Sequence, residues 1–278
     1  MDLPDVDVLR RERFRRMVRG PGNGAIPVLL GVGVVGGLVL LAAGAGYAGV
    51  LLLVLSLGTG VLLAWGAWQR SRQRAEREWM DRWGASRGLA SYAMPRTPPK
   101  ATPLLRENGR RWVANAVRGP IAGDPAGVVC HYTRRVSNGK SSADYPFTIV
   151  MLRLPTTAPV LPVLSAYPRD VTGGVLDGVR GALGGSRVIE LESVRLDDAF
   201  RIAVDDAQSD LTVRRLFTPA FIVWLEELAG RGLRFELEAG TLVVAVPERW
   251  FDVERLDWLL GTATGIATRV AAVPLEGS

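Results

Sequence analysis

The chain is short of the residue types from which most catalytic centres are assembled. Its 278 residues include one cysteine, Cys130, and one histidine, His131. A lone cysteine excludes any intrachain disulfide and carries no information about redox compartment. One cysteine and one histidine cannot supply the ligands of a Cys/His zinc site within a single chain. They are also neighbours on a strand-like stretch, which sends their side chains to opposite faces and prevents a nucleophile–base pair. Ser137, Ser141, Ser142, Ser165, Ser186, Ser193 and Ser209 lie in no nucleophile-elbow pattern, so a serine hydrolase finds no support. Lysine is nearly missing, at Lys100 and Lys140 only, and aromatics make up 7% of a chain that is 48% hydrophobic. The absence with the largest consequence is local: no charged residue occurs from Ala25 to Trp68.

That uncharged stretch divides into two runs. Residues 25–43, "AIPVLLGVGVVGGLVLLAA", and 47–68 hold about 19 and about 22 residues, and at about 1.5 Å per residue each covers a roughly 30 Å hydrocarbon core. Gly44, Ala45 and Gly46 between them suffice only to turn the chain, which predicts two antiparallel spans forming a helical hairpin. A cleaved signal peptide is the competing reading of the first run, since arginines precede it and small residues follow. Its length and the full span that follows favour the hairpin. Arginines crowd both flanks while the connecting loop has none, so the positive-inside rule puts both termini and the bulk of the chain in the cytoplasm, at the inner membrane. At the exit, Trp65, Trp68, Arg70, Arg72, Arg74 and Arg77 form the expected contact with interfacial lipid.

Within the first run, "GVGVVGG" (residues 31–37) formally matches a dinucleotide fingerprint. That motif works only between a strand and a helix N-terminus, where backbone amides meet pyrophosphate, and here it is embedded in apolar sequence. Gly33 with Gly37, and Ser56 with Gly60, instead give small residues four apart on each span, the spacing that lets helix backbones approach. They are the expected helix-packing positions, and no cofactor is implied.

The net charge of +6 invites a nucleic-acid reading until it is divided by region. Residues 1–20 carry six arginines against four acids, and residues 69–111 carry eleven basic groups against four acids. That leaves 17 basic and 20 acidic groups for residues 112–278. A nucleic-acid face would need the opposite balance in the folded part.

After Trp68 the pattern continues as a basic helix to about Trp83, and "MPRTPPKATP" (residues 94–103) is a stiff, donor-poor linker. From Trp112 the period changes. "WVANAVRG" and "AGVVCHYTRR" read as strands joined by the turn "PIAGDP", followed by "YPFTIVMLRL" and "APVLPVLSAY", with "SNGKSSAD" as a polar hairpin loop. "VTGGVLDGVRGALGG" reads as a glycine-rich connector, and "RVIELES" and "FRIAVDD" as further strands. Helices are expected over about 207–216 and from Thr218, an N-cap with Pro219 at the first helical position, with Ile222, Leu225 and Leu228 facing the core. "LRFELEAGTLVVAVP" predicts a hairpin in which Leu233, Phe235 and Leu237 are buried and Arg234, Glu236 and Glu238 are wet. A final helix from Asp252 would bury Val253, Leu256, Leu260 and Ala263. The fold class is α+β: a two-helix transmembrane hairpin followed by a soluble antiparallel sheet with packed helices. The segments are 1–24 (basic), 25–68 (hairpin), 69–103 (juxtamembrane helix and linker), 104–274 (soluble domain) and 275–278 (tail).

The order of a double-span hairpin, an arginine-rich exit, Trp83 with Gly88, Gly119 with Gly127 across a turn, and then Glu192, Ser193, Phe200, Phe217 and Pro219 resembles bacterial membrane-anchored proteins of a domain family of unassigned function. Leu196 and Asp197 stand where that family typically has Phe-Asn. The resemblance implies architecture and transfers no catalytic residue.

Asp197, Asp198, Asp205, Asp206 and Asp210 form the densest carboxylate cluster. A metal-assisted enzyme could be built on the first four, but no phosphate-cradling loop accompanies them, and Asp206 reads as a helix cap. The function expected is therefore non-enzymatic: a membrane-anchored cytoplasmic domain that binds a protein partner or self-associates. The rival reading is a small-ligand or lipid-headgroup sensor, in the manner of a pleckstrin-type module.

Overall fold

The structure, a computed structural model, describes residues 3–19, 25–44, 46–95, 97–106, 109–137, 139, 141–154, 163–169 and 185–272. The expected glycine-rich connector, most of "APVLPVLSAY" before Val163 and the 275–278 tail lie outside the described residues. By its contacts the chain divides into two compact units, residues 1–79 and 80–278.

The first unit holds α1 (Val6–Arg19), α2 (Ala25–Ala42) and α3 up to Trp79; α3 as a whole runs unbroken from Gly46 to Ala85. Among the described residues α3 is the one helix long and apolar enough to cross a membrane, and the apolar stretch Gly31–Ala42 of α2 is shorter. The glycine fingerprint lies inside α2, where its amides are committed to the helix. The two helices touch where side chains are smallest. A Cβ on Gly33 would overlap Ser56, and one on Gly37 would lie 2.7 Å from Leu53 Cγ and 3.2 Å from the Gly49 carbonyl. Gly60, one turn beyond Ser56, is half-buried. The basic N-terminal segment is an amphipathic helix that turns Val6 and Leu9 inward and runs antiparallel to the second half of α3. Trp79 Nε1 donates to the Pro4 carbonyl at 3.1 Å, Arg10 meets Glu76 at 2.6 Å, Arg13 pairs with Glu78, and Phe14 sits edge-on to Trp68 at 5.1 Å.

Among the described residues the second unit is built on a nine-stranded, wholly antiparallel sheet. In chain order its elements are β1 (Ala90–Ser91), α4 (Pro103–Arg106), β2 (Arg110–Ile121), β3 (Asp124–Ser137), β4 (Ser142–Arg153), β5 (Leu164–Pro168), β6 (Ser186–Ile189), α5 (Val194–Ala199), β7 (Phe200–Asp205), α6 (Asp210–Leu216), α7 (Pro219–Glu227), β8 (Arg234–Glu238), β9 (Thr241–Pro247) and α8 (Val253–Ala271). The strand order is β1-β2-β3-β4-β9-β8-β5-β7-β6. The turn between β2 and β3 consists of Ala122 and Gly123, both left-handed, the geometry that a two-residue hairpin requires. A bulge in β2 places Asn115 at φ 53, a conformation that Asn tolerates better than most residues.

The period of two divides the core between the sheet faces. One face carries Ala116, Val128, Cys130, Tyr132, Ile149, Met151, Val243 and Ala245 beneath Leu104 and Leu105 of α4. The residues of alternate parity, including Val117, Val129, Val150, Leu152, Val244 and Val246, are buried on the other. There α8 packs on β4 and β9. Its buried stripe is Leu256, Leu259, Ala263, Ile266, Ala267 and Val270, so Leu259 takes the place expected of Leu260, and Val253 is only half-buried.

Both helix starts read from the sequence are present. Thr218 accepts from Phe221 N with Pro219 next, and Asp252 accepts from Arg255 N. Phe221 replaces Ile222 in the buried set of α7, stacking on Phe217 and meeting Phe235. The helix expected from 207 begins at Asp210, with Ser209 as its cap residue, which corrects the capping role given to Asp206. Asp205 instead closes a turn, accepting from Ala207 N. Two short helices, α4 and α5, have no counterpart in the sequence reading.

The wet face expected of β8 is dry. Arg234 is 4% exposed and Glu236 is 0% exposed, because α4 lies across that face. Glu236 accepts from Leu104 N at 2.8 Å, Ser165 Oγ at 3.1 Å and Arg234 Nε at 2.9 Å, with a further bond from Arg234 Nη2. Tyr132 Oη donates to the Leu104 carbonyl at 3.0 Å, and Arg106 pairs with Glu238. Removing one member of a buried ion pair strands the other, at a cost of about 3–5 kcal/mol. Glu236→Ala is therefore expected to lower stability by about that amount, whereas the double substitution Arg234→Met, Glu236→Leu should recover much of the loss. Urea denaturation followed by tryptophan fluorescence checks both.

Candidate functional site

β9 ends at Pro247, and the chain needs only four more residues to reach the Asp252 cap of α8. That connection is held under strain. Glu248 has φ 73, a conformation unfavourable for a residue with a Cβ, and it is pinned from both sides. Its N–H donates to the Pro146 carbonyl at 2.8 Å, and its carbonyl accepts from Thr148 Oγ1 at 2.9 Å. The same Thr148 Oγ1, fully buried, accepts from Trp250 N at 2.9 Å. His131 completes the clamp. Its Nε2 lies 3.1 Å from the Trp250 carbonyl, and Asn115 Nδ2 lies 3.1 Å from its Nδ1. A carbonyl only accepts and an amide nitrogen only donates, so this arrangement requires Nε2 to carry the proton.

The clamp presents Trp250 to Trp258 in the second turn of α8, with ring centroids 6.1 Å apart at 48°. Each indole has a guanidinium over it: Arg255 over Trp250 at 5.6 Å and Arg231 over Trp258 at 4.7 Å. Arg231 comes from the turn after α7, between Gly230 at φ 83 and Gly232 at φ 68. Together with Pro247 and Glu248 these residues enclose a hollow of about 530 Å³. Both tryptophans are half-buried and both arginines exposed. The hollow offers wide aromatic faces fixed in advance, ringed by cations, and so suits a partner surface with apolar and acidic groups.

The residues nominated from the sequence lie elsewhere. In the first unit Trp65 is 62% exposed, Arg70 and Arg74 are exposed, Arg77 is half-buried, Trp68 meets Phe14, and Arg72 turns to Glu76 at 2.9 Å. Cys130 and His131 occupy opposite faces of the sheet, Cys130 in the apolar cluster and His131 in the clamp. The carboxylate cluster is dispersed. Asp197 accepts from Leu191 N, Asp198 pairs with Arg169, and Asp210 pairs with Arg187. Among the described residues no group of three His, Cys, Asp or Glu side chains is placed to hold a metal ion. The sequence reading passed over Trp250, Trp258, Arg231 and Arg255. Its available signal was two tryptophans eight residues apart across a helix cap, with an arginine between them.

No family model matches the sequence, and no curated protein matches it. Among solved structures the chain is similar to the crystal structure of the mycobacterial trehalose monomycolate transport factor A, TtfA. The TM-score is 0.46 at 13% identity, over 74% of this chain and 99% of that one.

Burial pushes the Cys130 thiol well above its ordinary titration range, and the thiolate is the reactive form. Native protein at neutral pH is expected to resist a disulfide-exchange reagent and to react with one thiol per chain once unfolded in urea. Rapid native labelling would show that the α4 face opens.

Proposed function

We propose that the chain is a membrane-anchored, non-enzymatic module that binds another protein, or a second copy of itself, at the inner membrane. In this reading α2 and the first half of α3 both cross the bilayer, and both termini with the folded unit lie in the cytoplasm. The small-residue contacts at Gly33, Gly37 and Gly49 support a hairpin. So do the exposed apolar side chains along it, such as Val32, Val61 and Leu62, which suit lipid better than water. Arginines on both outer flanks support the orientation.

The observation that carries the interaction reading is the Trp250–Trp258 hollow. Tryptophan and arginine are the residue types that dominate binding energy at protein interfaces. Here two of each are half-exposed or exposed around one depression, and a strained, doubly pinned backbone holds them in place. Such strain persists only where the surroundings over-determine it, and it concentrates at binding and switch sites.

Two measurements test the proposal. Paired cytoplasm-active and exterior-active reporters fused after Ser278 should both report a cytoplasmic end; an exterior signal would overturn the orientation. A photo-crosslinking residue at Arg231 should trap discrete adducts in cells, which a copy placed at Arg201 should not. Differently tagged copies of the chain would separate self-association from a foreign partner. Trp258→Ala should weaken the trapped complex by about thirty-fold or more, and Arg231→Glu, at an exposed position, should do so without touching the core. Equal trapping at both positions would remove the hollow as the interface.

A further inference from the structure

A second depression lies on the other face of the sheet, where the linker after β1 passes over the ends of β3 and β4. Its volume is about 860 Å³, within the range of roughly 300–1,000 Å³ typical of small-molecule sites. The floor is the margin of the apolar core: Val128 and Met151 are buried but retain 8% exposure each, while Cys130 and Ile149, one step further along the same face, are 0% exposed. Met94 and Leu154 extend the apolar lining. The roof is poor in hydrogen-bond donors because Pro95 and Pro99 contribute to it and have no amide N–H.

The mouth has the opposite character. Arg118 and Arg153 both line it and both are exposed. Neither has a carboxylate partner among the described residues; Arg118 lies over the Tyr92 ring at 5.1 Å. The acid in the lining, Asp124, is 8% exposed and already committed. Its Oδ1 accepts from Ala126 N at 2.8 Å and its Oδ2 from Arg153 N at 2.7 Å, which ties the β2–β3 turn to the end of β4. Asp124 thus sets the backbone from which Arg153 projects.

We propose that this groove binds an anionic single-chain amphiphile, its acyl chain along Met94, Val128, Met151 and Leu154 and its carboxylate or phosphate between Arg118 and Arg153. A free inorganic anion would leave the apolar floor unused, and a neutral chain would make no use of the two guanidinium groups at the mouth. The groove shares no lining residue with the Trp250–Trp258 hollow.

The test uses the full chain in phosphatidylcholine nanodiscs and a diazirine-bearing fatty acid, with labelled peptides mapped by mass spectrometry. Labelling is expected on the segments carrying Met94 and Met151. Saturated fatty acids should compete for it, with potency rising about four-fold per added methylene until the groove is filled. An alcohol of the same chain length should compete at least ten-fold less well. The double substitution Arg118→Gln, Arg153→Gln alters exposed side chains only, and it should cut groove labelling at least ten-fold with an unchanged melting curve. Ala126→Trp, which fills the groove beside Val128, should do the same. Labelling spread evenly over the chain, labelling indifferent to the arginine substitutions, or full competition by millimolar inorganic phosphate would each overturn the proposal, the last by reassigning the site to a free anion.

Discussion

The constraint on which the second unit turns is a carboxylate with no access to water. Glu236 is wholly buried in β8, and an ion so placed is tolerable only if its lone pairs are met by donors. The donors come from three places in the sequence: its own strand through Arg234, β5 through Ser165, and α4 through the Leu104 amide. That last bond has the widest structural consequence. A helix of four residues has almost no stability of its own, so α4 keeps its position because the buried acid, the Tyr132 hydroxyl and the Arg106–Glu238 pair hold it there. Without α4 the apolar face around Cys130 and Ile149 would be open, and the linker leading into it would have no reason to follow the course that roofs the groove.

The opposite face repeats the device with uncharged groups. Thr148, His131 and Asn115 are buried; Thr148 Oγ1 and His131 Nε2 both act on one short connection, Glu248 to Trp250, and Asn115 Nδ2 meets the other nitrogen of His131. Thr148 and His131 are register partners on adjacent strands, so the clamp is assembled by strand pairing and needs no loop of its own. Each polar cluster inside the sheet thus fixes a short segment outside it. Polar groups in a dry interior are costly unless satisfied and are position-specific once they are, which is how a sheet with two apolar faces can hold one short helix and one loop in place.

How much of this was legible depended on whether the signal was local. The uncharged stretch, the Thr218-Pro219 and Asp252 helix starts and the β8–β9 hairpin are written within a few residues, and the structure has helices and strands there. The alternation of Leu233, Phe235 and Leu237 with Arg234, Glu236 and Glu238 was equally plain, yet its usual meaning failed. Alternation reports that two faces differ, and only the covering element decides whether the polar face is wet. That element, α4, lies about 130 residues earlier and is too short to announce itself. The aspartates misled for a related reason: closeness in sequence on turns and short helices sends Asp197, Asp198 and Asp210 toward separate partners. The Trp250–Trp258 pair was hidden because its organiser is a threonine a hundred residues away.

With one imidazole in the chain, a catalytic role and a structural role compete for the same residue. The geometry commits both nitrogens, one toward the Asn115 amide and the other toward the Trp250 carbonyl, while Phe251 stands edge-on to the ring at 4.6 Å. A general base needs a free lone pair facing a substrate; here the lone pair faces Asn115 within the sheet. The imidazole suits this place because it both accepts and donates across a rigid ring, spanning from β2 to the loop before α8, a reach that no serine or threonine has. What His131 supplies is the orientation of Trp250, and through it the shape of the hollow.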